Sequence, residues 1–402
     1  MSKHTKKLTN NNSLTVKSFK SVIYKTTKQL NQNDTLEQMF SFFKKNVNQS
    51  KFDSLYKKTT FFGSDKLGKS GALVGVVKIK EKEYVIKMIR LEQKKKYVYD
   101  YNNKCFRIYF PFNELIINSV FSNMKKFLSP QKYKIYISKY SDFFIPIKDI
   151  GISNTHSYMI NELIGMNDNN IFYTNLYDIL TINFIPNLLK CINNNDTKKI
   201  DIVLKQFTTI LKEYFECMKF LNENLGYFNS DLKCKNVFIK KNKKKSLDTF
   251  ITNFTPLISD LDKANIKINN ILILPKPYGL DKILSKRTNV LSKVYEIRYS
   301  CFRNTKLCDR FKPYQYDIIT LFYDIYSLLY KYIFKKLKLS VKDYYDYFKI
   351  LNNLVKKTLN INDEEFTKFY KRIHYSYILK TTSEAKLSFH ISIMLYKFCK
   401  SL

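Results

Sequence analysis

Asp231, Lys233 and Asn236 stand within six residues of one another, directly ahead of the apolar run Val237-Phe238-Ile239. A carboxylate can orient a hydroxyl and take up its proton. An ammonium two residues on can steady an anion, and an amide oxygen can join a carboxylate in holding a hard divalent cation. A second acidic group follows at Ile258-Ser259-Asp260-Leu261-Asp262. Transfer of a phosphoryl group uses this combination of residue types, because the reaction needs positioning and charge neutralisation more than covalent chemistry.

The order of these groups, Asp-x-Lys-x-x-Asn before a strand-like run and then hydrophobic-Ser-Asp-Leu-Asp, resembles the catalytic loop and metal-binding segment of protein kinases. The resemblance runs from about residue 60 to the end of the chain. It is nearest to the divergent serine/threonine kinases of large DNA viruses, the poxvirus type included, which often carry Asp-Phe-Asp in place of Asp-Phe-Gly. On that resemblance Asp231 is the catalytic base and Lys233 steadies the phosphoryl oxygens. Asn236 and Asp260 hold Mg²⁺. Lys87, in Tyr84-Val85-Ile86-Lys87, is the strand lysine that pairs with the phosphates of ATP, and Glu114 is its helix partner. Gly68, Gly71 and Val76 belong to the loop over the phosphates, where small residues let backbone N–H groups approach. Glu162 and Leu163 begin the connector whose backbone binds adenine. Asp317, at the start of an apolar helix, hydrogen-bonds the catalytic-loop backbone.

The chain departs from the family pattern in several places. Asn229-Ser230 replaces the usual His-Arg before the aspartate, Asp262 stands where a glycine is usual, and no Ala-Pro-Glu precedes Asp317. The lost arginine normally answers a phosphate on the activation segment, so the resemblance implies activity without that phosphorylation. The glycines lack Gly-x-Gly-x-x-Gly spacing, and Lys87 lies further from Glu114 than the family leads one to expect. Two other readings stay open. One is a small-molecule phosphotransferase of the same fold, which often shows Asp-x-Asp but seldom a lysine at position 233. The other is a catalytically dead kinase fold serving as a scaffold or nucleic-acid binder, although such relatives tend to lose at least one of Lys87, Asp231, Asn236 and Asp260.

The elements that must position these residues follow from pattern and composition. With 402 residues, 45% of them hydrophobic, the chain is long enough for two lobes and too apolar for a disordered chain. The formal net charge of +36 suggests acidic partners, protein substrates or virion proteins among them, or contact with nucleic acid. A/T-biased codon usage explains it as well: the chain lacks Trp and is rich in Lys, Asn, Ile, Tyr and Phe. The seven cysteines include no Cys-x-x-Cys pair and read as reduced thiols, so no zinc site is expected. No apolar run reaches membrane-spanning length and no secretory signal opens the chain, so a soluble intracellular protein is expected, in host cytoplasm or virion if viral.

Residues 1–58 read as a polar basic extension, partly disordered, with one short helix over Leu36–Phe43. Residues 59–163 read as a β-rich lobe: a hairpin over Val76–Ile89 behind a glycine window, a basic insertion over 93–104, a helix from Asn113 and a strand over Tyr158–Gly165. Residues 164–402 read as a larger helical lobe. Ile202–Asn224 carries apolar residues at i, i+3, i+4 and stops at Gly226, and further helices are expected over Tyr316–Phe334, Tyr344–Leu359 and Phe366–Phe398. Lys240–Lys245 reads as a basic hairpin tip, and few strand signals follow Phe250. The expected fold is α+β, two-lobed and protein-kinase-like.

Overall fold

The computed structural model describes residues 47–62, 72–91, 97–100, 105–168, 171–229, 231–241, 254–268, 271–276, 311–339 and 341–378. The fold is mixed α and β and divides into two compact units. Described residues of the first fall within 47–139, 144–163 and 261–276, and those of the second within 140–143, 164–260 and 311–378. The chain thus passes from the first unit to the second after Leu163 and returns to the first at Leu261.

The first unit opens with helix α1 (Gln49–Lys58), capped by Asn48, whose Oδ1 accepts from the Lys51 N–H at 2.9 Å. Strands β1 (Thr59–Phe61), β2 (Ala72–Ile79) and β3 (Lys82–Arg90) follow. Strands β6 (Ile147–Ile152) and β7 (His156–Glu162) complete an antiparallel sheet in the order β1-β2-β3-β7-β6. Phe52 and Leu55 of α1 bury one face of this sheet with Val77, Ile86, Met88, Tyr158 and Ile160. Within the stretch 1–58 read as an extension, Phe52 and Leu55 thus belong to the core, two apolar residues that polar neighbours dilute in sequence. The helix expected over Leu36–Phe43 lies outside the described residues.

The β2–β3 hairpin closes through Lys80 and Glu81, with φ of 48° and 64°. Two consecutive positive φ values match the right-handed twist of the strands, as in a type I′ turn. Gly75 is needed for space: a Cβ there would stand 2.6 Å from the Thr60 carbonyl oxygen of the neighbouring strand.

A second sheet combines β4 (Tyr97–Asp100) and β5 (Cys105–Tyr109) with β12 (Ile266–Ile268) and β13 (Ile271–Lys276), in the order β12-β13-β5-β4. Strands β5 and β13 are parallel, with Cys105 opposite Leu272 and Tyr109 opposite Lys276. The basic insertion expected over 93–104 therefore contains a strand and leads into another, and β structure does follow Phe250. These strands were hard to read because each finds its partner far along the chain. Strand β5 runs without a break into helix α2 (Phe110–Phe121), apolar on most of its surface and buried accordingly.

The second unit is organised on helix α4 (Thr197–Leu225), which follows helix α3 (Ile185–Asn193). Asp196 caps α4 at its start, and Gly226 ends it in the left-handed conformation with φ 56°. Helix α5 (Pro313–Leu329) has proline in its first turn and is buried on nearly every side. Phe215 of α4 meets Phe322 of α5 edge to face at 5.1 Å. Helices α6 (Lys349–Leu359) and α7 (Asp363–Ile378) pack on α5, Phe369 lying 4.6 Å from Tyr323. The helix expected over Tyr344–Leu359 is broken at Phe348, and α5 continues through a π-helical turn at Tyr330–Phe334. Strands β8 (Met166–Asp168) and β9 (Ile171–Tyr173) pair antiparallel, and β10 (Phe238–Lys241) and β11 (Phe254–Leu257) pair as a hairpin. Most of the basic tip, from residue 242, lies outside the described residues.

Among the described residues no helix is long and apolar enough to cross a membrane.

Candidate functional site

The loop from Asn229 to Asn236 follows α4 and leads into β10, and its backbone is held from several sides. Asp317, 1% exposed near the start of α5, accepts the Asn229 N–H at 2.7 Å. One side of the Asn229 amide accepts the Asp231 N–H at 3.1 Å, and the other donates to the Ser259 carbonyl at 3.3 Å and the Tyr227 hydroxyl at 3.1 Å. Asn229, a mere departure in sequence, is thus the hub of the loop.

Asp231 and Asn236 are 7% and 8% exposed. The Asn236 Nδ2 donates to the Asp231 backbone carbonyl at 2.9 Å and lies 3.3 Å from its carboxylate. The Lys233 ammonium stands 3.5 Å from the same carboxylate. The loop therefore brings Asp231, Lys233 and Asn236 together. With its nitrogen turned to Asp231, the Asn236 amide has its oxygen left as the group to offer a hard cation, the donor type Mg²⁺ takes. Among the described residues no group of three or more His, Cys, Asp or Glu side chains gathers as a metal centre. Mg²⁺ sites commonly need fewer protein ligands, since waters and phosphates supply the rest.

Asp260 is placed beside this loop by the β10–β11 hairpin. Phe238 pairs with Leu257, so Asn236 and Ser259 meet at the same end, where the Ser259 hydroxyl donates to the Asn236 carbonyl. Asp260 itself has φ 52°, a left-handed conformation that Asp tolerates better than most residues.

The first unit carries the other pair. Lys87 lies on β3 and Glu114 on α2, and the Lys87 ammonium reaches both carboxylate oxygens, at 3.1 and 2.8 Å. Glu114 is 4% exposed. In the strand register Val74 faces Lys87 and Val76 faces Val85, so Val76 and Lys87 share the sheet face opposite α1. Gly68 and Gly71 lie outside the described residues. Glu162 closes β7, and its N–H donates to the Pro146 carbonyl at 3.1 Å, so that amide is already engaged within the protein. Its carboxylate makes an exposed 3.4 Å pair with Lys82, of a kind that stabilises little. Leu163 is exposed.

Sequence reasoning missed Asp324. It lies two turns after Asp317 on the same side of α5 and accepts the Cys234 N–H at 2.7 Å. Its signal was a lone acid seven residues from Asp317 in an otherwise apolar helix. Burial pushes its carboxyl above the ordinary carboxylate value, against the lowering effect of the Cys234 bond. Asp324→Ala leaves the buried Cys234 N–H without this acceptor and is expected to cost about 1–3 kcal/mol of stability. The folded chain holds the Asp324 proton more tightly than the unfolded chain. Its contribution therefore grows as pH falls through the folded-state value and is complete below the unfolded one. Urea midpoints of the wild type, measured against Asp324→Asn, should move in the wild type's favour as pH falls from neutrality into the carboxylate range.

No family model matches the chain, and no curated protein matches its sequence. Among solved structures, the crystal structure of the BubR1 kinase domain is similar over 85% of this chain and 83% of that one, at 13% identity and a TM-score of 0.37. A likeness that distant carries no weight for what this chain does.

Proposed function

We propose that this chain has a protein-kinase-like fold and transfers the γ-phosphate of ATP to serine or threonine hydroxyls of proteins. The observation that carries the reading is the anchored loop in which Asp231, Lys233 and Asn236 converge. Asp231 orients the hydroxyl and takes its proton as that oxygen bonds to the γ-phosphorus and ADP leaves. Lys233 steadies the phosphoryl oxygens. Lys87, held by Glu114, pairs with the phosphates of the bound nucleotide, and Val76 lies on the same sheet face. Asn236 and Asp260 would hold Mg²⁺, which neutralises phosphate charge when bound. The departures at Asn229-Ser230 and Asp262 support placing the chain with the divergent kinases of large DNA viruses.

The test is transfer of label from γ-labelled Mg-ATP to acidic and basic protein substrates, followed by phosphoamino-acid analysis. The expected result is phosphoserine or phosphothreonine on protein. Transfer only to small alcohols or amines points instead to a small-molecule phosphotransferase. ATP binding without turnover, or salt-sensitive nucleic-acid binding that survives Asp231→Ala, overturns the catalytic reading.

A further inference from the structure

We propose that Asn113 is a positioning residue whose amide latches helix α2 onto the segment after Asp260 and so keeps the Lys87–Glu114 pair assembled. The inference rests on the reading of Lys87 as the phosphate-binding lysine.

Asn113 precedes Glu114 on α2 and is fully buried. Its Nδ2 lies 2.8 Å from the Ala264 carbonyl, 3.2 Å from that of Asp262 and 3.5 Å from that of Leu261. Three converging carbonyls admit only the nitrogen end of the amide, which fixes its orientation by chemistry. The carbonyls belong to the tight turn Leu261–Lys263 and to Ala264, which closes it by donating its N–H to the Leu261 carbonyl at 3.1 Å. The chain beyond that turn becomes β12 and then β13, and β13 pairs in parallel with β5, the strand that runs straight into α2. The segment 261–276 therefore grips α2 twice, through the strand before it and through a side chain in its first turns. Glu114 meets Lys87 at 2.8 Å only while α2 keeps this position. The grip uses backbone carbonyls and a neutral amide, neither of which titrates or takes a phosphate. The pair is thus held by the chain itself, without a modification acting as the switch.

The experiment compares Asn113→Asp, Glu114→Gln and the double variant in steady-state kinetics with ATP varied. Asn113→Asp preserves volume but replaces the NH2 group, with both its N–H donors, by an oxygen facing carbonyls. It should lower kcat/KM for ATP by about tenfold or more, with a raised KM. If Asn113 acts through Glu114, the double variant falls within about twofold of Glu114→Gln alone, because coupled positions are not additive. Losses that multiply overturn the proposal. Asn113→Ala, smaller and neutral, covers the case in which the new carboxylate unfolds the unit.

Hydrogen exchange supplies a readout that needs no activity. In either Asn113 variant, exchange should rise together in residues 110–121 and 261–268 while β2 and β3 stay protected. A rise in only one of the two segments, or in neither, overturns the latch. If the wild type transfers no phosphate, the kinase reading fails by itself, and the exchange result still decides the latch.

Discussion

Asp231→Asn is expected to lower phosphoryl transfer by about 10²- to 10⁴-fold while leaving the unfolding midpoint nearly unchanged. The substitution preserves volume at a site that is 7% exposed. The Asp231 N–H still bonds to Asn229, and the backbone carbonyl still accepts from Asn236, so the loop keeps its anchors. What disappears is the carboxylate beside Lys233 and Asn236, and with it the acceptor for the hydroxyl proton. KM for ATP should change little, because Asp231 serves the attacking alcohol rather than the nucleotide. Single-turnover transfer from labelled Mg-ATP, paired with thermal unfolding of the same sample, separates these effects. Wild-type rates in Asp231→Asn would remove the base from the loop and with it the proposed reaction. A lost rate accompanied by a lost fold would instead make Asp231 structural.

What was legible in sequence was what short segments specify. The period of apolar residues and the Gly226 stop mark α4, alternation marks the β2–β3 hairpin, and apolar density marks α5. The loop residues Asp231, Lys233 and Asn236 are visible because their spacing lies within one turn of chain. What escaped depends on partners distant in sequence. Helix α1 carries only two buried apolar residues in a polar stretch, and its place in the core is decided by the sheet it covers. Strands β5 and β13 pair in parallel although helix α4 and the β10–β11 hairpin lie between them in sequence, which no local pattern announces. Asn229, Asp324 and Asn113 share one reason for being missed. Each is a polar residue that satisfies backbone groups of another segment, and sequence shows the polar residue without the backbone it serves.

Lys87→Met should cost about 3 kcal/mol of stability, more than Glu114→Gln, and the asymmetry follows from burial. Lys87 is the cation 2.8 Å from a carboxylate that is only 4% exposed. Removing the lysine takes the counter-charge from an acid with little access to water, and the ionised form then bears the desolvation cost. Removing the acid instead leaves an ammonium whose flexible stem can carry it towards solvent, since the Lys87 side chain is 16% exposed. The double variant Lys87→Met/Glu114→Leu discards both charges for apolar groups and should recover much of the loss, as buried pairs replaced by packed apolar residues often do. Urea midpoints of the wild type, Lys87→Met, Glu114→Leu and the double variant give the coupling directly. Transfer should fall in all three variants, since each removes a partner of the pair assigned to the phosphates. Recovered stability without recovered activity in the double variant would separate the chemical use of the pair from its contribution to folding. A single Lys87→Met variant as stable as the wild type would show that Glu114 does not depend on this ammonium.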